Sequence, residues 1–217
     1  MEILFEDEHL IICIKPVGIL SQKDASGSVN MVDELVKYLQ NNKKSCNIYV
    51  VHRLDKNVSG VMVYAKSSNV VAGLSKAIGQ QMFNKEYMAV VQGCPTEKEG
   101  VLKDLLFKDS SKNKSYVVKR ERKGVKKASL EYKVIDVKDV DMGQISKVWI
   151  KLHTGRTHQI RVQFASRKMP LLGDGKYGSR DNKCDVALWS YRISFIHPVT
   201  NEQIDCYKNP PDIYPWW

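Results

Sequence analysis

The chain has 217 residues, enough for one well-buried domain or at most two small ones, which excludes a large multidomain assembly. Hydrophobic residues make up 43% and charged residues 27%, with 13 Gly and 7 Pro, an ordinary globular balance that excludes collagen-like and low-complexity chains. A formal charge of +10, from 34 Lys and Arg against 24 Asp and Glu, favours a polyanionic partner, nucleic acid before a membrane surface.

The first segment, Ile3–Ile14, reads as two short strands around a Glu6-Asp7-Glu8 turn, ending in a loop at Lys15-Pro16-Val17-Gly18. Met31–Asn42 has apolar residues at helical spacing with Asn30 as N-cap, and Ser68–Phe83 repeats the pattern. Tyr49–Val51 and Val61–Ala65 read as strands flanking HRLDKNVSG, which is therefore a loop between strands, a common seat of chemistry. Tyr87–Val91, Leu130–Val137 and Ser146–Leu152 carry the β-branched, alternating character of strands. Lys108–Lys127 is strongly basic and broken by Ser and Gly, an exposed hairpin or loop that is either plain solvated surface or an RNA-facing arm. A single α+β domain over 1–217 is expected, with room for two lobes around a cleft.

No apolar run approaches the ~20 residues of a membrane-spanning helix, and the acidic start MEILFEDEHL is unlike a signal peptide. A soluble, cytoplasmic protein with no membrane partner is expected. Cys13, Cys46, Cys94, Cys184 and Cys206 are scattered with no C-x-x-C pair, which argues against a disulfide framework and a structural zinc site.

Two segments could carry chemistry. HRLDKNVSG packs His52, Arg53, Asp55 and Lys56 into one loop; an acid flanked by cations is held ionised and is a usable nucleophile, although a lone loop Asp is more often a packing salt bridge. GRTHQIR adds Arg156, His158, Gln159 and Arg161. If His158–Arg167 is helical, His158 and Arg161 share one face, which could bind phosphate or hold the Asp. His153 and His158 are five apart with no carboxylate between them, unlike a zinc protease, and GDGKYG lacks the spacing of a phosphate-binding loop. No metal and no small-molecule cofactor are expected.

HRLDKNVSGVMVYAKS, NKEYMAVVQG, LHTGRTHQIRVQFAS, PLLGDGKYG and RISFIHP, in this order, resemble the RluA-type family of pseudouridine synthases from about Leu10 to Pro198. Val58 stands where the family usually has Thr, and Trp189 where it often has His. The resemblance implies an RNA uridine-to-pseudouridine isomerase with a central, mostly antiparallel or mixed sheet in two lobes, flanked by helices, with an active-site cleft. It places the nucleophile on Asp55 and leaves open whether attack falls on the sugar C1′ or a glycal forms by proton abstraction. Tyr87 resembles the family's active-site tyrosine, which would stack on uracil and assist proton removal from C5. Arg161 resembles the basic partner of the nucleophile, with Arg156 as the other candidate. Leu188 resembles the apolar wall of the uracil pocket, and Arg53 the arginine that holds a flipped nucleotide.

His52, His158 and Gln159 join these as expected RNA-binding residues, and Lys15, Arg156 and the basic segment would add salt-sensitive affinity for the RNA backbone. The pattern begins almost at Met1, so a stand-alone catalytic domain without an S4 domain is expected, acting as a monomer on a stem-loop of ribosomal or transfer RNA. The alternatives are a catalytically silent RNA-binding or ribosome-assembly factor of the same fold, and a basic DNA-binding regulator, for which no recognition helix is apparent. NPPDIYPWW at the C-terminus reads as a tail packed onto the domain.

Overall fold

A computed structural model describes residues 1–44, 47–141 and 143–216, so Cys46 and Trp217 lie outside the described residues. The elements in chain order begin with β1 (Ile3–Glu6), β2 (Leu10–Lys15), α1 (Met31–Asn41), β3 (Tyr49–Val50), β4 (Ser59–Ala65), α2 (Ser68–Gly79) and β5 (Asn84–Gln92). They continue with β6 (Glu99–Asp109), β7 (Lys114–Val118), β8 (Val125–Val140), β9 (Gly143–Leu152), α3 (Gln159–Ala165), β10 (Leu188–Ile196) and β11 (Gln203–Tyr207). They form an α+β fold of two compact units, Met1–Lys85 with Trp189–Asn209, and Glu86–Leu188 with Pro210–Trp217. No helix among the described residues is long and apolar enough to cross a membrane.

In the first unit, Asp7 turns β1 into β2 by accepting the amides of His9 and Leu10, each at 2.7 Å. β2 reads as a nearly unbroken apolar run because both its faces are covered, and Leu10 to Cys13 have no exposed surface. It pairs antiparallel with β4, whose first residues run parallel to the start of β10; β11 flanks β10 and β3 flanks β4, both antiparallel. The parallel contact is close: a Cβ on Gly60, at φ +120°, would fall 2.3 Å from the Ser190 carbonyl oxygen, so only glycine fits.

Helix α1 starts where Asn30 Oδ1 accepts the Asp33 amide at 3.1 Å, and it buries Met31, Leu35 and Leu39. Helix α2 is capped by Ser67 and stops at Gly79 rather than Phe83. Gln81 then takes a left-handed φ of 59°, which turns Phe83 into the core and leaves Met82 56% exposed. Phe83 stacks on Phe195 with ring centroids 4.8 Å apart, joining a core built from Leu10, Ile12, Val61, Leu74, Ile193 and Ile204.

The strands of the second unit pair antiparallel in the order β5, β9, β8, β6, β7. Helix α3 lies on it through Val162, which packs with Leu106 and Ala128. The helix is shorter than the expected His158–Arg167 because His158 adopts a left-handed φ of 52° and starts the helix only at Gln159. At the C-terminus Trp216 is buried.

Candidate active site

The residues singled out in the sequence fall into both units: Lys15, His52, Arg53 and Asp55 in the first, Tyr87, Arg156, His158, Gln159, Arg161 and Leu188 in the second. The loop between β3 and β4 turns Leu54 inward, exposes Arg53 and Lys56, and leaves Asp55 half-buried at its bend. Its backbone is pinned from two sides. The buried Ser21 Oγ donates to the Leu54 carbonyl at 2.8 Å and accepts the Leu54 amide at 3.0 Å. The Lys15 ammonium donates to the carbonyls of Pro16, Ile19 and Lys56 at 2.8, 2.7 and 3.2 Å. The Val58 amide closes the bend on the Asp55 carbonyl at 3.0 Å.

This placement turns the Lys15 ammonium toward the protein's own backbone. An ammonium with no exposed surface and three backbone acceptors has nothing left to offer a phosphate; it builds the loop that carries Asp55. Burial pushes its pKa down to about 8, partly opposed by the charge of Asp55. Replacing the ammonium by a thioether leaves buried carbonyls without this donor, so Lys15→Met should lower unfolding stability by ~3 kcal/mol, read from the urea midpoint.

His52 is also buried. Its Nε2 accepts the Val63 amide at 3.2 Å and its ring tilts against Phe83 at 5.8 Å. Burial, with the nearby Lys85 charge, pushes its pKa down to about 3, so it is neutral at physiological pH.

In the second unit, Tyr87 lies in β5 opposite Ile150 of β9, 5% exposed. Arg161 projects from α3 and grips Asp174 side-on, Nε to Oδ2 at 2.6 Å and Nη2 to Oδ1 at 2.8 Å. Both partners are buried, which fixes the guanidinium plane. The neighbouring Gly173 packs so closely that a Cβ there, at φ +71°, would lie 2.3 Å from the Asp185 carbonyl oxygen, so only glycine fits beside Asp174.

Gln159 does not present itself to RNA. Its Oε1 accepts from Thr154 Oγ1 at 2.8 Å and from the Arg156 amide at 3.0 Å, while its Nε2 donates to the Ser129 carbonyl at 3.1 Å. Buried, it shapes the turn into α3. Arg156 is exposed and donates to the Lys127 carbonyl at 3.0 Å. The buried His158 places Nδ1 2.9 Å from the Tyr177 hydroxyl, and Leu188 is buried at the head of β10.

The basic segment is largely regular: β6 and β7 form a hairpin, and a loop leads on to β8. Its nine Lys and Arg stand against Asp109 and Glu121 alone, and all but Lys114 are exposed. Sequence reasoning missed Ser21 and Asp174. Asp174 had a signal, because an arginine on the buried side of an apolar helix requires a carboxylate and GDGKYG supplies one. Ser21 had none, since its partner is backbone.

The chain is similar in structure to human RNA pseudouridylate synthase domain containing 1, with a TM-score of 0.78 at 18% identity, over 98% of this chain and 84% of that one. Human RNA pseudouridylate synthase domain containing 4 gives 0.77 at 21%, over 97% and 89%. These likenesses establish the fold. In sequence, the chain is 33% identical over 206 residues to an uncharacterized RNA pseudouridine synthase, YhcT, of Bacillus subtilis, covering 94% of this chain and 67% of that protein. It is 32% identical over 221 residues to ribosomal large subunit pseudouridine synthase D of Zymomonas mobilis, covering 94% and 68%. The chain thus spans about two thirds of the length of these relatives. Residues 9–166 match the RNA pseudouridylate synthase family, and the chain belongs to it.

Proposed function

We propose that this chain isomerises uridine to pseudouridine in structured RNA with Asp55 as nucleophile, and that a stem-loop of large-subunit ribosomal RNA is its first candidate substrate. The observation that carries the reading is the bend at Asp55: a half-buried aspartate in the HRLD segment, on a backbone immobilised by Lys15 and Ser21. A reacting group set by buried neighbours rather than by a mobile loop is what nucleophilic catalysis requires. The ribosomal substrate is favoured by relatives such as the Zymomonas mobilis enzyme; transfer RNA is the other candidate.

The reaction exchanges one bond for another on the same nucleotide. The bond from C1′ to N1 breaks, the uracil rotates, a bond from C1′ to C5 forms, the C5 proton leaves and N1 gains one. No electrons are gained or lost. Asp55 starts the process at the sugar, Tyr87 stacks on the base and assists proton loss from C5, and Arg161 is the basic residue of the reaction. Arg53 holds the unstacked nucleotide, Leu188 walls the uracil, and the exposed cations of the β6–β7 hairpin bind the phosphate backbone without reading sequence. The protein acts as a monomer in the cytoplasm.

Carbodiimide labelling with primer extension tests the reading, on ribosomal and transfer RNA from cells with and without the gene. A site lost on deletion and restored by the wild type is expected. RNA that is bound tightly while no site changes would favour the silent RNA-binding alternative.

A further inference from the structure

Tyr177 has no part in the roles assigned above, yet it touches both the basic hairpin and Arg161. It closes the single 3₁₀ turn Gly175–Tyr177, which follows directly on Asp174. Its hydroxyl accepts the amide of Ser115, in β7, at 2.8 Å and lies 2.9 Å from His158 Nδ1. Its ring is shared by two cations, the Arg161 guanidinium at 5.2 Å and the Lys114 ammonium at 5.1 Å from the centroid. One residue earlier, Lys176 donates to the Asn113 carbonyl at the hairpin tip at 3.1 Å. Residues 174–177 therefore hold Arg161 at one end and the hairpin at the other.

We propose that Tyr177 is a positioning residue that couples RNA binding at the β6–β7 hairpin to the setting of Arg161; this rests on the reading of the chain as an RNA pseudouridine synthase. A phosphate is a stronger partner for an ammonium than an aromatic face. RNA that draws Lys114 toward its backbone removes one of the two cations from the ring and changes the field at Arg161. The hydroxyl bond to Ser115 transmits any shift of β7 to His158, which immediately precedes α3 and stands three before Arg161. The hairpin then does more than add affinity: it reports to the catalytic side of the unit that RNA is in place.

Two readouts test this on the full chain. The Nε–H resonance of Arg161, identified by its loss in Arg161→Lys, is followed by NMR during titration with a uridine-containing stem-loop RNA. Steady-state kinetics on the same RNA run in parallel. Tyr177→Phe keeps the ring and removes the hydroxyl, and Lys114→Met removes one cation without touching the turn. RNA should shift the wild-type resonance, and each variant should at least halve that shift at saturating RNA. Tyr177→Phe should lower kcat about tenfold with KM moved less than twofold, the pattern of a lost transition-state contribution rather than lost binding. Equal shifts in wild type and both variants, or a raised KM with unchanged kcat in Tyr177→Phe, would overturn the proposal. A wild type that binds RNA without turnover removes the proposed function, and the NMR titration still decides the coupling by the same criterion.

Discussion

Asp55→Ala should abolish pseudouridine formation, lowering kcat by at least ~10⁴-fold, because removing a nucleophile removes the whole covalent route rather than one contribution to it. The fold should survive the change. The bend that carries Asp55 is held by main-chain groups, namely the Leu54 carbonyl and amide on Ser21, the Lys56 carbonyl on Lys15, and the Asp55 carbonyl on the Val58 amide. None of these bonds involves the carboxylate. Asp55→Asn retains shape and polarity without the negative charge and should be equally silent. The measurement is pseudouridine yield per enzyme on a defined RNA, with the urea midpoint and the RNA dissociation constant recorded for each variant. Activity within tenfold of wild type in either variant would sink the assignment of Asp55 as nucleophile.

Asp174→Ala should be the most destabilising single change near the site, at about 3–5 kcal/mol, since it strands a buried arginine without its counter-charge. Arg161 and Asp174 are 7% and 1% exposed and joined by two short, parallel hydrogen bonds, so water cannot replace the lost partner. Removing both charges together is a different experiment. The pair Arg161→Met with Asp174→Leu replaces two desolvated ions by apolar groups, and most of the lost stability should return because neither desolvation nor an unpaired charge remains. Activity should not return with it. Stability measured by urea unfolding and turnover on RNA thus separate the structural task of Arg161 within its own unit from the catalytic role proposed for it.

The sequence exposes some of this architecture and hides the rest for identifiable reasons. Helix α1 was readable to within one residue because Asn30 caps it and its apolar spacing stops with it. Helix α2 ends before its apolar period does, because Met82 and Phe83 prolong the pattern while the left-handed Gln81 breaks the chain direction between them and the helix. Strand β8 runs from Val125 to Val140, far beyond the alternating core Leu130–Val137, because its lysine-rich flanks are solvated and carry no inside-outside pattern. The motifs pointed to Asp55 and Arg161 but could not report burial. Lys15 and His52 look like ligands when read beside Arg53, and both are buried scaffolding. Asp174, which does for Arg161 what a sequence reader assigns to a nucleophile, becomes visible only once α3 and the 3₁₀ turn are placed together.

The way the chain returns to its first unit sets the order in which it can be finished. Ser190 Oγ bonds the Val61 carbonyl across 129 residues, and Ile193, Phe195 and Ile204 complete the core that Leu10, Ile12 and Val61 begin. A nascent chain on the ribosome holds β2, β4 and both of their helices long before it holds the strands that close them. During that interval a nearly all-apolar sheet lacks part of its cover, and closing so long a loop is slow. Loss of β10 and β11 would therefore undo the amino-terminal core as surely as a mutation inside it. The beginning of this protein is folded by its end.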